Sequence, residues 1–266
     1  MSAGRCSSRA ASFPAPAIRA LDDELYLGWP PERVVDLHGW RCGLDRGATR
    51  RPNSVWPFAW QPHRPLAAGI QAAERLYREA GLRPCLRITR AAAPGELAQA
   101  LADRGYSREG ASHVLVAETG STGAAPPRGT GVTLSLDERP SAGWLACYED
   151  GLASAAEGKA VRGLLARIAA PHVFAAVALD GRTASTALAI ATRTCVQISA
   201  VRTLPACRRR GLAEHVLSAL QDWARALGAR RLALMVEATN APALALYRKA
   251  GFRRAYDYHY LATAQP

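Results

Sequence analysis

The sequence predicts an α/β protein built from two consecutive mixed layers. Three observations predict it. Short apolar runs of strand length alternate with stretches whose apolar residues recur at helical spacing. A run rich in Gly, Pro, Ser and Thr, Thr119–Gly131, divides the chain into pieces of similar size. The two pieces also present a similar order of elements, which suits a duplicated architecture although no sequence repeat is visible. At 266 residues there is enough chain for one large core or two small ones. The expected division is a disordered tail over 1–15, an α/β domain over 16–118, a linker over 119–131 and a second domain over 132–266.

In the first piece a helix is expected over Ile18–Leu27, stopped by Gly28 and the Pro30-Pro31 pair. Short strands follow at Val34–Leu37, Trp40–Cys42 and Ser54–Trp60. Pro65–Ala80 places Leu66, Ile70, Ala73 and Leu76-Tyr77 at helical spacing, and Gly81 is a suitable cap. Pro84–Ile88 reads as a strand, Glu96–Asp103 as a helix and His113–Ala117 as another strand.

In the second piece Val132–Leu136 is a strand, followed by helical material over Ala142–Leu152 and Lys159–Ile168. Strands at His172–Leu179 and Ala184–Thr192 are joined by Asp180-Gly181, a hairpin turn pair. A third strand covers Val196–Val201. The next helix carries Leu212, Val216, Leu220, Trp223 and Leu227 on one face. Leu232–Val236 reads as a buried strand, Ala241–Ala250 as a helix and Arg254–Leu261 as the final strand.

Two segments carry chemistry. Arg208-Arg209-Arg210-Gly211-Leu212-Ala213 stands between a strand and an amphipathic helix. The first amides of a helix lack intrahelical acceptors and sit at the positive end of its dipole, so the segment suits a diphosphate. Gly211 lets the backbone approach a phosphate, and Ala213 keeps the next turn small. The arginines add charge-assisted donors, or else form a solvated turn. Further on, Asn240 is a suitable N-cap, Pro242 fits a first turn, and Gly251-Phe252 closes the helix that bears Tyr247.

Together these segments resemble the GNAT superfamily of acetyltransferases. Arg208, Gly211 and Ala213 meet its Q/R-x-x-G-x-G/A signature. Asn240, Ala243, Tyr247, Gly251 and Phe252 meet N-x-x-A-x-x-x-Y-x-x-x-G-F. The resemblance implies the GNAT fold for 132–266, a mixed, mostly antiparallel sheet flanked by helices, preceded by a smaller degenerate GNAT-like domain. It implies acetyl-CoA as co-substrate and a primary amine as acceptor, with direct transfer. The strand ending Val201-Arg202-Thr203 would splay from its neighbour and bind the pantetheine arm, and the amides of Arg208, Arg209, Arg210, Gly211, Leu212 and Ala213 would hold the pyrophosphate. Asn240 would lie near the pantetheine. Tyr247 would protonate the departing thiolate, a step for which a phenol of pKa ~10 is reasonably matched. Glu237, His215, Asp257 and His259 all lie near this core, and none is singled out as general base. A non-catalytic acyl-CoA sensor or scaffold is the alternative reading.

Gly39-Trp40-Arg41 and Thr49-Arg50-Arg51-Pro52-Asn53-Ser54-Val55-Trp56-Pro57 resemble the first half of two-part bacterial GNAT proteins, with Cys42-Gly43 where a Leu-Arg pair is usual. This piece lacks the R-x-x-G-x-A loop. Arg50, Arg51 and Asn53 either line a substrate cleft between the halves or form a solvated strand turn.

Composition narrows the partners. The formal charge of +12 comes almost wholly from scattered arginines, with lysine only at 159 and 249, so a generic basic surface is expected rather than nucleic-acid binding. No long apolar stretch suggests a membrane span. The six cysteines match neither a disulfide framework nor a zinc site, and no metal is expected. No signal peptide is apparent, and a cytoplasmic setting is expected; monomer and homodimer both stay open.

Overall fold

A computed structural model describes residues 13–46, 49–61, 63–120 and 129–264. The elements follow the expected order. The first half contains α1 (Ala15–Leu27), β1 (Arg33–Leu37), β2 (Trp40–Leu44), β3 (Val55–Pro57), α2 (Leu66–Glu79), β4 (Cys85–Ile88), α3 (Leu97–Ala102) and β5 (Ser107–Glu118). The second contains β6 (Val132–Asp137), α4 (Ala142–Glu149), α5 (Ala155–Ala166), β7 (His172–Leu179), β8 (Arg182–Ala191), β9 (Val196–Thr203), α6 (Leu212–Ala226), β10 (Arg231–Glu237), α7 (Ala241–Lys249) and β11 (Arg253–Ala262).

All strands join one sheet in the order β1-β2-β3-β4-β11-β5-β10-β9-β8-β7-β6. Its centre is an exchange. The C-terminal strand β11 lies between β4 and β5 of the first half, and β5 in turn lies between β11 and β10 of the second. Around that pair the wings mirror one another, β1 to β4 against β7 to β10. In each wing only the third and fourth strands run parallel, β3 with β4 and β9 with β10. The duplicated order of elements is therefore a duplicated topology, with each half lending its last strand to the other.

Several boundaries differ from expectation for local reasons. Strand β3 is three residues rather than the expected Ser54–Trp60, because Pro57 cannot donate to the ladder and the chain turns so that Ala59 N–H donates to Gly39. Strand β5 starts at Ser107 rather than His113, since backbone pairing with β11 needs no apolar side chain over the polar first half. Helix α5 starts at Ala155 rather than Lys159, set by its N-cap: Ser154 Oγ accepts from Glu157 N–H at 3.2 Å, and the Glu157 carboxylate reaches back to accept from Ala153 N–H at 2.7 Å. Helix α1 begins at Ala15 and Phe13 packs against Tyr256, so residues 13–15 of the expected tail are ordered; residues 1–12 lie outside the described residues, as do 121–128 of the expected linker.

The largest core cluster sits under α6. Leu212, Val216 and Leu220 are buried as the spacing predicts, but Leu227 lies past the helix end and is 50% exposed. Burying each such side chain contributes roughly 1.5–3 kcal/mol. No helix among the described residues is long and apolar enough to cross a membrane, and no cluster of three or more His, Cys, Asp or Glu among them could hold a metal.

Candidate active site

The site grows from a divergence of two strands. Parallel pairing of β9 with β10 covers Val196–Ile198 and Leu232–Leu234, then stops. Beyond it β9 stays with β8, Thr186 opposite Arg202 and Ser185 opposite Thr203. A bulge marks the departure: the register shifts between Thr186 and Leu188, and Ala200 adopts φ 53°. The ladder groups of β9 from Ser199 and of β10 from Met235 are thus freed on the facing sides. Val201, Arg202 and Thr203 form one lip of this opening, where the splay was expected.

At the end of β9 the chain makes a single 3₁₀ turn, Pro205–Cys207, and reaches the arginine loop. Arg209 and Gly211 both take left-handed backbone, at φ 61° and 75°, and Gly211 caps α6. Arg208, Arg209 and Arg210 are exposed, and among the described residues none pairs with a carboxylate. Arg208 Nε donates to the Thr203 carbonyl at 3.4 Å. Glu214, an acid in the first turn of α6 where an anion would dock, is taken up by Lys249 at 2.7 Å. Loop and helix start therefore present uncompensated positive charge over the amides of Leu212 and Ala213.

Asn240 caps α7, its Oδ1 accepting from Ala243 N–H at 3.2 Å. Tyr247 is 6% exposed and packs edge-on to Phe252, with ring centroids 5.9 Å apart, within the cluster that includes Leu212 and Val236. Burial pushes its phenol up to about 12, so the proton is held firmly. Phe252 N–H donates to the Tyr247 carbonyl at 2.9 Å, closing the helix as the Gly-Phe pair predicts.

On the other side of the opening lies a cavity of about 700 Å³. Ser199 and Ala200 of β9 and Met235–Glu237 of β10 bring it to the residues just before Val201 and Asn240. Arg50, Arg51 and Asn53 line it from the first half, so the segment before β3 is a cavity wall rather than a solvated turn. Asn53 accepts from Asp45 N–H at 2.7 Å and folds that wall. Gly43 lies beneath it, where a Cβ would meet the Pro52 carbonyl at 2.4 Å; a larger residue at this point of β2 would displace the wall.

Of the four acid–base candidates, Glu237 lines the cavity, 65% exposed and 4.0 Å from Arg50 Nη2. His215 is buried on α6. Asp257 is held by Arg254 and His113; although burial raises its pKa, those hydrogen bonds outweigh it and keep the carboxyl below its usual range. His259, lowered by burial and then by Arg108, faces a separate cavity with Ile88 and Arg90. Sequence reasoning missed Trp29, Arg83, Glu109, Tyr148, Tyr258 and Tyr260, which also line the main cavity. Alternation of Tyr256, Tyr258 and Tyr260 on β11 was a legible signal, whereas Glu109 had none.

The first wing has the corresponding opening, between β3 and β4, and it is closed. Only about 10 Å³ remains there, among Trp56, Arg87, Asp22 and their neighbours. Asp22 of α1 pairs with Arg87 Nη1 at 2.7 Å, and the guanidinium lies 4.2 Å from the Trp56 ring centroid and 4.0 Å from that of Tyr258.

The end of the parallel strand pair is thus open in the second wing, beside the glycine-started helix α6, and plugged in the first, where α2 starts after Pro65. Residues 15–261 match the family described as probable histone acetyltransferase Rv0428c C-terminal. The chain belongs to this family. It is a GNAT-superfamily acetyltransferase, and so an acyltransferase. A protein of Bacillus subtilis (strain 168), named as an uncharacterized N-acetyltransferase, YobR, is 26% identical over 249 residues, covering 91% of this chain and 97% of its own. Among solved structures, a GCN5-related N-acetyltransferase from Kribbella flavida superposes with TM-score 0.69 at 17% identity, over 97% of this chain and 98% of its own. A tandem GNAT protein from the clavulanic acid biosynthesis pathway superposes with TM-score 0.67 at 15% identity, over 85% and 79%. These likenesses bear out the GNAT fold for this member of the family.

Proposed function

We propose that the enzyme is acetyl-CoA-dependent and moves the acetyl group to a primary amine by direct transfer. The observation that carries this is the opening between β9 and β10, with an uncompensated cationic loop on one side and a lined cavity on the other. In this reading residues 132–266 hold the coenzyme and 16–118 supply the acceptor wall. The pyrophosphate docks on the amides of Arg208–Ala213, and the pantetheine runs between Val201–Thr203 and the Asn240 end of α7, adding itself to the freed strand edges.

The amine nitrogen attacks the thioester carbonyl carbon, and its proton passes to Glu237, directly or through water. The tetrahedral oxyanion is stabilised by backbone N–H groups, the C–S bond breaks, and Tyr247 gives its proton to the leaving sulfur. With the opening of the first wing plugged, the one between β9 and β10 holds the coenzyme in this reading. A reducing, cytoplasmic setting belongs to the same proposal, supported by the free thiols of Cys42, Cys85, Cys147, Cys195 and Cys207.

Calorimetric titration with acetyl-CoA tests it, repeated on Gly211→Glu. Micromolar-range binding to the wild type that disappears in the variant is expected, because the new side chain adds left-handed strain and a negative charge where the phosphates dock. Binding equal in both proteins would move the coenzyme elsewhere.

A further inference from the structure

The three arginines of the cavity are not equivalent. Arg50 and Arg83 each donate to Glu109 at 2.7 Å, so that carboxylate offsets both. Arg51 has no carboxylate within 4.0 Å among the described residues. Its direct contacts are neutral, while Glu157 lines the same cavity without reaching it. Its Nη1 lies 3.5 Å from the Ser199 hydroxyl, the Trp29 ring centroid lies 5.4 Å from its Cζ, and Gln197, oriented so that its nitrogen donates to Leu25, offers its amide oxygen at 3.3 Å. The backbone beneath is pinned, since the Arg51 carbonyl accepts from Ser54 Oγ at 3.0 Å and from Trp56 Nε1 at 3.3 Å. A partly buried guanidinium that is aimed, stacked and uncompensated is built to receive a planar anion through two parallel N–H bonds.

The position says which anion. Arg51 meets β9 at Ser199, where β9 leaves β10, while Glu237 stands on β10 at the same cavity. A cation and an exposed carboxylate thus line one cavity, and its 700 Å³ is the volume of a small-molecule site. Resting on the transferase reading above, we propose that the acceptor is a small amine that also bears a carboxylate, which Arg51 binds while the amine faces Glu237.

The test uses ω-amino acids from glycine to 6-aminohexanoate, each paired with its neutral amide, measured by calorimetry on the acetyl-CoA-saturated or CoA-saturated protein and by thiol release. At the best chain length the carboxylate should bind about tenfold or more tighter than its amide, as loss of a charge-assisted hydrogen bond implies. Arg51→Gln should abolish that difference, raising KM with kcat nearly kept, and Arg51→Lys should retain part of it. Unchanged melting of Arg51→Gln controls for folding, with Arg51→Lys carrying the comparison if it fails. Amides matching or beating their acids at every length, or a preference that survives Arg51→Gln, would overturn the proposal. Arg51-dependent binding of the acids without any thiol release would keep the anion site and remove the transferase reading instead.

Discussion

Tyr247 and Glu237 divide the proton chemistry of the proposed reaction, and their surroundings differ accordingly. Tyr247 is enclosed, and burial alone lifts its phenol to about 12, so it stays protonated through the neutral range and titrates away only as pH nears that value. Turnover should therefore show no alkaline fall traceable to Tyr247 until well above neutrality. Tyr247→Phe should lower kcat about 10²–10⁴-fold, the usual contribution of a general acid, with acetyl-CoA affinity nearly intact. Glu237→Gln should lower kcat/KM about 10²–10⁴-fold while acetyl-CoA affinity stays nearly intact. Full turnover in the Phe variant would exclude Tyr247 as the acid. Both residues were visible in the sequence, Tyr247 through its place in a contiguous signature and Glu237 only as one of four candidates, because the choice depends on which strand edge is freed.

Among the elements, α1 has a role its periodicity did not announce. The spacing of Ile18, Leu21 and Leu25 explains why it is a helix and which face it buries. What it does is bring Asp22 to Arg87, a pair with side chains 7% and 2% exposed, and to the Tyr256 hydroxyl. Removing one partner leaves the other charge buried without compensation, which costs about 3–5 kcal/mol. Asp22→Ala should lower the melting temperature strongly, whereas Asp22→Ala with Arg87→Met should recover much of the loss. Equal melting of the single and double variants would show that the pair is not the source. A lone Arg in the Pro84–Ile88 run gives no sign of burial in sequence, since an arginine in a strand more often faces water.

For the whole molecule, the β5/β11 exchange makes the halves interdependent. A chain of 129–264 alone has no β5 to fill the gap between β10 and β11, and one of 13–120 has no β11 beside β4. Each fragment should be aggregation-prone with poorly dispersed amide NMR signals, because long unpaired strand edges seek partners. Co-expressed, the two should co-purify as a 1:1 complex with native-like signals. Independent folding of either fragment would mean that the exchange is dispensable. The Thr119–Gly131 break marks where one half of the sequence ends, yet folding does not stop at that point.

The sequence by itself determined the type and order of the secondary elements, the arginine–Gly211 loop and the α7 signature, because each depends on residues within a turn or two of one another: periodicity, caps and a left-handed glycine act locally. Tertiary structure alone decided the exchanged central strands, the plugging of the first opening by Asp22 and Arg87, and the cavity beside β9 and β10. Trp29, Arg51, Glu109, Ser199, Glu237 and Tyr260 reach that cavity from six different segments. Their convergence, like the pairing partner of each strand edge, is chosen by long-range packing, which leaves no pattern in neighbouring residues.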